Sequence, residues 1–267
     1  MQKFVIMAFA LTPALTGFAQ VRDSRPAGGT VFERGVMVPM RDGVKLATDI
    51  VRPAHVRLLD YEVEIGLVMK RSVTGPEQIT PDKLADYVGA LVLHNDVSAR
   101  DVQLPQTQFY KGKSYRTFGP TGPWLTLVDA DDLAALDTIE LRLEVNGQTR
   151  QSALAEDLSY KPAETLTELS ALQDLGPGDL IVTGTPGGTA VKAPPPLKMF
   201  IARLLPDAKR WKMFIEGALK DPDYLKDGDQ MVAWAKTADG RIDPHVPRRD
   251  GNHEEGDRAA ERSVVRA

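Results

Sequence analysis

Glu62 and Glu64 lie one residue apart in the segment LLDYEVEIGLVMKR, which covers residues 58–71 and is otherwise largely apolar. A β-strand turns successive side chains to opposite faces, so both carboxylates point the same way, together with Asp60. Two neighbouring carboxylates repel each other and resist burial unless a positive charge lies between them. The segment therefore predicts either a solvated strand face or a cation site.

Asp96 is the third carboxylate of interest, because it follows the buried-strand pattern VGALVLHN and a strand end can present a ligand. Together with Glu62 and Glu64 it would offer a hard divalent cation three anionic oxygen ligands. Arg100 and Gln103 follow Asp96 at helix-like spacing, where they could bind an anionic substrate above the ion. This combination favours a metal site over a solvated face.

The composition limits the other classes of function. The chain has 267 residues, 42% hydrophobic and 26% charged, which is typical of a globular protein with a sizeable core. A net charge of −4 gives no support for nucleic-acid binding. The absence of cysteine excludes disulfides, zinc–thiolate sites and thiol nucleophiles, and four histidines favour oxygen ligands for any metal. The chain contains no G-x-S-x-G nucleophile elbow.

The N-terminal segment predicts export. Residues 1–19 combine an early lysine, an apolar stretch and small residues near Ala19, which is typical of a signal peptide of a periplasmic or secreted protein. The alternative is a short buried N-terminal element in a cytoplasmic protein. Because Pro13 interrupts a short apolar run, no membrane span is expected in the mature chain.

The rest of the chain divides into three parts. We expect a linker and a hairpin turning at Asp42–Gly43 over residues 20–54, a folded body over 55–245, and a charged, disordered tail over 246–267. Within the body, alternating residues around Asn146–Gly147 predict a second hairpin. Strands outnumber helices without regular βαβ alternation, so the pattern predicts an α+β fold.

Four motifs in the body carry a resemblance to a known family: LDYEVEIGLV, HNDVSARDVQ, GKSYRTFGPTGPW and GDLIVTGTPGGTA. In this order and spacing they resemble the fumarylacetoacetate hydrolase family, from about residue 53 to 242. The resemblance implies a strand-rich roll of mixed β-sheets with a few peripheral helices. It also implies a Mg²⁺, Mn²⁺ or Ca²⁺ ion held by Glu62, Glu64 and Asp96, and a homodimer.

The same resemblance implies hydrolysis of a C–C bond in a small anionic β-diketo or acylpyruvate-like oxo acid. Arg100, Gln103 and Lys113 would contact the substrate, and Thr185 in the glycine-rich loop would hold its carboxylate or oxyanion. Lys113 would also stabilise the negative charge that develops during cleavage. Oxaloacetate-type decarboxylation and keto–enol isomerisation are variants of this chemistry in the family.

The chain departs from the family pattern upstream of Glu62. The family's His-x-x-Glu pair, which activates water, has no counterpart, and residues 32–54 instead resemble the first strands of X-Pro dipeptidyl-peptidase and cocaine-esterase type α/β-hydrolases. His94 could replace the missing base, because in an extended chain it faces the same side as Asp96; the alternative is a purely structural histidine. A catalytically inactive, metal-binding remnant is therefore the alternative to an active enzyme.

Overall fold

The computed structural model describes residues 38–39, 45–46, 53, 55–106, 108–242 and 263–266. Its strands are β1 (Val38–Pro39), β2 (Lys45–Leu46), β3 (Leu59–Asp60), β4 (Val63–Met69), β5 (Val88–Asn95), β6 (Ser98–Ala99), β7 (Thr121–Leu127), β8 (Glu140–Val145), β9 (Gln148–Leu154), β10 (Leu180–Val182), β11 (Gln230–Lys236) and β12 (Ser263–Arg266). Its helices are α1 (Leu84–Tyr87), α2 (Arg100–Gln103), α3 (Tyr110–Lys113), α4 (Ala130–Ala134), α5 (Pro162–Ser170), α6 (Pro196–Ala202) and α7 (Asp207–Ala218).

Two four-stranded sheets form the body of the protein. The first has the strand order β10-β4-β5-β7 and the second has the order β12-β11-β8-β9. Each strand pairing in the described part of the chain is antiparallel. The strand-rich α+β fold that the sequence predicts is confirmed.

The β8–β9 hairpin shows how local sequence sets this architecture. Asn146 and Gly147 have positive φ values of 51° and 76°, as a tight two-residue hairpin turn requires. Leu141 and Leu143 point into the core, whereas Arg142 between them is partly exposed. The predicted hairpin and its Asn146–Gly147 turn are therefore confirmed.

Strand β4 lies inside the first sheet, between β10 and β5, and it is buried on both faces. Val63, Ile65 and Leu67 belong to the hydrophobic core. The opposite row is also enclosed, since Glu62 and Glu64 are only 9% and 3% exposed. The alternative of a solvated strand face is therefore wrong, and the two carboxylates need compensating charge within the protein or from a bound cation.

The disorder predicted for the tail is wrong for Ser263–Arg266, which form β12 and pair with β11. The physical reason is that β11 would otherwise present an open edge, and the β-branched pair Val264–Val265 favours a strand that covers it. At the other end, β1 and β2 pair antiparallel on either side of the predicted Asp42–Gly43 turn. That turn, the predicted signal peptide (1–19) and residues 246–262 lie outside the described residues.

Among the described residues, no helix is both long enough and apolar enough to cross a bilayer. Two short helices, α2 and α3, instead position side chains of the candidate site. The short helix α2 begins directly after β6, where the Arg100 N–H donates to the Leu58 carbonyl at 2.8 Å. Helix α3 follows and contacts α2, which brings Lys113 toward the end of β5.

Candidate metal centre

Glu62, Glu64 and Asp96 converge at one edge of the first sheet. One oxygen atom of each carboxylate lies within 4.8 Å of the other two. The cause is the antiparallel pairing of β4 with β5, which places the start of one strand beside the end of the other. The Asp96 N–H donates to the Glu62 carbonyl at 2.8 Å and fixes this register. The structure thus brings together the three residues that the sequence predicts as ligands.

Two cationic side chains contact this cluster. Lys113 Nζ donates to Glu62 Oε2 at 2.6 Å and also to Asp96 Oδ2. Arg100 Nη2 donates to the other Glu62 oxygen, and its Nε donates to Asp60 Oδ2 at 2.7 Å. Glu62 is therefore held by a cation on each oxygen, and Lys113 bridges two of the three converging carboxylates.

The surroundings give the three carboxyl groups of the cluster different pKa values. Burial opposes ionisation of Glu62, but the charges of Arg100 and Lys113 outweigh it and lower the pKa. For Asp96, burial raises the pKa in spite of Lys113. Burial, together with the charges of Asp96 and Glu62, raises the pKa of Glu64 to about 8. Among the described residues, no Lys or Arg side chain forms an ion pair with Glu64, whereas Lys113 contacts both Glu62 and Asp96.

A divalent cation fits this donor set. Three carboxylate oxygens within 4.8 Å of one another are the hard oxygen ligands that Mg²⁺, Mn²⁺ and Ca²⁺ prefer. When fully ionised, these three carboxylates and Asp60 carry two more negative charges than Arg100 and Lys113 neutralise. One divalent ion would balance this excess, and it would lie beside Glu64.

The side chains of Arg100 and Gln103 contact each other rather than pointing freely into solvent. Arg100 Nη1 donates to Gln103 Oε1 at 2.8 Å, and the two residues are 4% and 3% exposed. Both line the cavity above the carboxylates. Because its guanidinium already binds Asp60, Glu62 and Gln103, Arg100 has less donor capacity for a substrate than the sequence suggests.

His94 lies opposite Glu64 in the pairing of β4 with β5 and also lines the cavity. The Thr121 hydroxyl donates to the Gly119 carbonyl at 3.0 Å, so toward His94 Nδ1, at 2.8 Å, it acts as an acceptor. We therefore assign the ring hydrogen to Nδ1, which leaves Nε2 as an acceptor. Burial, with the charge of Lys113, lowers the pKa of His94 to about 4, so the ring is neutral at pH 7.

Thr185 lies in the glycine-rich loop after β10, beside the cavity. Its hydroxyl donates to the Val63 carbonyl at 3.1 Å and accepts from Gln151 Nε2 at 2.7 Å. A hydroxyl has a single hydrogen, so it could donate to a substrate only if the bond to Val63 opened. The same loop supplies the Gly184 N–H, which donates to Glu64 Oε2 at 2.8 Å.

The cavity that contains these groups has a volume of about 2790 Å³. This exceeds the range of roughly 300–1,000 Å³ that is usual for small-ligand pockets. The carboxylate cluster forms one side, and α6 and α7 line another with Met199, Trp211 and Phe214. An organic anion therefore has ample room beside the cluster.

The profile of the family described as "Fumarylacetoacetate (FAA) hydrolase C-terminal" matches residues 22–244. The chain belongs to this family. The match includes residues 32–54, the segment with the esterase resemblance, most of which lies outside the described residues. That resemblance stays a prediction.

Curated relatives and solved structures are similar to this chain over part of their length. A Burkholderia multivorans protein, classed as a hydrolase without a named substrate, is 36% identical over 137 residues, covering 51% of this chain and 47% of that protein. The chain spans about half the length of the curated relatives it matches. A probable 2-hydroxyhepta-2,4-diene-1,7-dioate isomerase from Mycobacterium abscessus is 33% identical, with a TM-score of 0.54 and coverage of 72% of this chain and 60% of that chain.

A more distant structure supports the fold alone. The structure of fumarylpyruvate hydrolase from Pseudomonas aeruginosa, in complex with Mn²⁺ and pyruvate, has a TM-score of 0.54. The match covers 83% of this chain and 70% of that chain at 20% sequence identity. The likeness confirms the fumarylacetoacetate hydrolase architecture.

The sequence argument assigns no role to three buried polar residues of the site. Asn95 Oδ1 accepts from the Glu62 N–H at 2.9 Å, and Gln151 Oε1 accepts from the Val63 N–H at 3.0 Å. Asp60 accepts from Arg100 and from the end of the glycine-rich loop. Asn95 and Asp60 stand beside predicted ligands and could have been suspected from that position. Gln151 comes from the β8–β9 hairpin, and no local pattern distinguishes it.

Proposed function

We propose that this protein is a divalent-cation-dependent hydrolase that cleaves a C–C bond in a small β-diketo or acylpyruvate-like oxo acid. The observation that supports the proposal most strongly is the convergence of Glu62, Glu64 and Asp96 beside Lys113 in a large cavity. Mg²⁺ or Mn²⁺ is the expected cofactor, and Ca²⁺ is a further possibility.

Each residue of the site would have a separate role in such a reaction. A divalent cation held by the three carboxylates would polarise the carbonyl groups of the oxo acid. Lys113, whose pKa is raised by Glu62 and Asp96 against the effect of burial, stays protonated and can donate to a developing enolate oxygen. Arg100 keeps Glu62 in place, and His94 offers Nε2 as a proton acceptor.

The hydrolytic step balances with water as the single co-reactant. The water oxygen bonds to the distal carbonyl carbon while His94 accepts one of its protons. The C–C bond then breaks, and its electron pair remains on the 2-oxo acid, which leaves as an enolate and takes up a proton. The two products are a carboxylic acid and a 2-oxo acid.

Keto–enol isomerisation or oxaloacetate-type decarboxylation is the second candidate. Neither reaction needs a base that activates an attacking water, and the sequence lacks the family's His-x-x-Glu pair. The solved relative at 33% identity carries the name of an isomerase. A cation site without turnover, the inactive remnant, is the third outcome that the experiment below distinguishes.

The test begins with calorimetric titration of Mn²⁺ into the purified protein and into the Glu62→Ala, Glu64→Ala double variant. We expect binding to the unaltered protein and none to the double variant. The matched control is Glu144→Gln, which changes another buried carboxylate, 9% exposed, outside the cluster. Equal affinity in the unaltered protein and the double variant would refute the carboxylate site.

Turnover is then measured in the presence of Mn²⁺ with an acylpyruvate and with oxaloacetate. Acylpyruvate cleavage that is lost in Asp96→Ala supports the hydrolase. Decarboxylation or keto–enol interconversion of oxaloacetate, without acylpyruvate cleavage, supports the second candidate. Binding without any of these reactions indicates the remnant. Homodimer formation and export stay predictions, which light scattering and the mass of the N-terminus in the mature protein would test.

A further inference from the structure

Asp60 is fully buried, and its carboxylate accepts four hydrogen bonds. Oδ1 accepts from the N–H groups of Tyr61 at 2.9 Å and Ala190 at 2.8 Å. Oδ2 accepts from the Val191 N–H at 3.1 Å and from Arg100 Nε at 2.7 Å. A carboxylate has about four lone-pair sites, so this group has no capacity left for a metal ion or a substrate.

The four donors belong to different parts of the candidate site. Tyr61 precedes the ligand Glu62 in the chain, and Arg100 binds an oxygen of Glu62 directly. Ala190 and Val191 end the glycine-rich loop, whose beginning is tied to Glu64 through Gly184. Asp60 therefore connects both edges of the carboxylate cluster through one buried group.

We propose that Asp60 is a positioning residue that fixes Arg100 against Glu62 and fastens the glycine-rich loop to the metal-binding strand. In this role it holds the carboxylate cluster in the geometry that receives the cation. The inference rests on the proposed function in one respect, namely that Glu62, Glu64 and Asp96 bind a divalent ion. Asp60 itself touches neither cation nor substrate.

General physical chemistry supports this role. Ligating carboxylates are held by outer hydrogen-bond partners, and loss of such a partner typically costs 10–100-fold in metal affinity. Altering one partner of a buried ion pair lowers the stability of the fold, because the other charge is left buried without compensation. A purely structural Asp60–Arg100 pair would therefore lower stability when it is altered, but it would leave the cation affinity of the folded protein unchanged.

The test compares Asp60→Asn with Asp132→Asn, using the full chain. Asp132 is also fully buried, and it caps α4 through the Asp129 N–H at 3.0 Å, away from the carboxylate cluster. The amide introduced by Asp60→Asn keeps one acceptor oxygen but presents N–H groups where the carboxylate accepted. We expect about a tenfold or larger loss of Mn²⁺ affinity by calorimetry in Asp60→Asn. Asp132→Asn should bind Mn²⁺ like the unaltered protein.

Hydrogen exchange supplies a readout that needs no metal. In Asp60→Asn the amides of Ala190 and Val191 should exchange faster, while those of the β8–β9 hairpin should not change. If Asp60→Asn does not fold, Arg100→Lys replaces it, since an ammonium cannot bind Asp60, Glu62 and Gln103 in the same geometry. We expect the same loss of Mn²⁺ affinity in that variant.

The outcomes separate the two proposals. If the unaltered protein binds no Mn²⁺, the proposed function fails, and the positioning role fails with it. If the unaltered protein binds Mn²⁺ and the Asp60 or Arg100 variant binds it equally well, the positioning role alone is refuted. A loss of affinity in the Asp132 control equal to that in Asp60→Asn would also refute it, because the effect would then be a general consequence of destabilisation.

Discussion

Glu64 and His94 lie directly opposite each other on the paired strands β4 and β5, and the protein favours the uncharged form of both. Side chains at such opposed positions have Cβ atoms roughly 4.5–5.5 Å apart. Burial raises the pKa of Glu64 to about 8 and lowers the pKa of His94 to about 4. The edge of the cluster nearest His94 is therefore neutral at pH 7 until a cation is supplied.

The first prediction concerns Glu64→Gln and stability without metal. The folded protein keeps a proton on Glu64 up to about pH 8, whereas the unfolded chain releases it near 4.5. Between these values the folded state binds more protons, so this group makes the free energy of unfolding fall as pH rises. A glutamine side chain cannot ionise, so the free energy of unfolding of Glu64→Gln should fall less between pH 4.5 and pH 8. We therefore expect the variant to be more stable than the unaltered protein at pH 8.

Urea unfolding across this pH range, with EDTA present, measures the effect. Glu140→Gln on strand β8, which lies outside the cluster, is the control and should keep the pH dependence of the unaltered protein. Parallel curves for Glu64→Gln and the unaltered protein would contradict the raised pKa. In a separate series without EDTA, addition of Mn²⁺ should stabilise the unaltered protein by about 2.7 kcal/mol at 100 times its Kd.

The second prediction separates catalysis from cation binding at Lys113. Replacement by Met removes the ammonium that bridges Glu62 and Asp96. Because two carboxylates lose a competing partner, Mn²⁺ affinity should stay equal or become tighter, while kcat should fall about 100-fold with the loss of charge stabilisation. Lys111→Met in the same helix changes an exposed lysine and should alter neither quantity. Weaker Mn²⁺ binding in Lys113→Met would assign Lys113 a structural role instead.

The sequence predicts that Glu62, Glu64 and Asp96 lie together, and the structure agrees, because the information is local. Glu64 lies in β4, Glu62 directly precedes that strand and Asp96 directly follows β5, so ordinary antiparallel pairing suffices to bring the three together. Asp60 belongs to the same alternating row but takes no part in the cluster. The reason is that β3 ends at Asp60 and β4 begins only at Val63, so regular alternation stops between them.

Contacts that depend on distant register could not be derived from the sequence. Gln151 reaches Val63 across 88 positions of sequence, and its polar side chain looks like any other solvent-facing residue of a hairpin. The strand at Ser263–Arg266 was missed for a similar reason, since only the free edge of β11 makes it favourable. Local composition around that segment predicts disorder.

The third prediction tests His94 as the base. Because a group with a pKa near 4 is a weak base at pH 7, its contribution belongs at the low end of the usual range, about 100-fold. We expect His94→Gln to lower hydrolysis of an acylpyruvate by this factor and to leave oxaloacetate decarboxylation within a few-fold. His55→Gln is the control, since His55 instead contacts the Tyr115 hydroxyl at 3.0 Å. An unchanged rate of hydrolysis would leave His94 with a structural role alone.

The fourth prediction concerns Gly188 in the glycine-rich loop. Its φ is +105°, a conformation that side chains rarely adopt, and a Cβ there would overlap the Arg150 carbonyl oxygen. Gly147 in the hairpin turn also has positive φ, at +76°, but a Cβ there meets nothing within 4 Å. Comparing alanine substitutions at Gly147 and Gly188 therefore separates backbone strain, which both positions share, from steric overlap, which only Gly188 has.

Gly147→Ala should lower the free energy of unfolding by about 1 kcal/mol, the cost of strain alone. Gly188→Ala should lower the free energy of unfolding by several kcal/mol. The same strain applies, and the overlap with the Arg150 backbone adds an overpacking cost of about 1–3 kcal/mol. Since the loop carries the Gly184 N–H that binds Glu64, Gly188→Ala should in addition weaken Mn²⁺ binding, and Gly147→Ala should not. Urea unfolding and calorimetric titration measure the two effects. Equal destabilisation by both substitutions would mean that the loop relaxes freely, and the cation site would then not depend on its position.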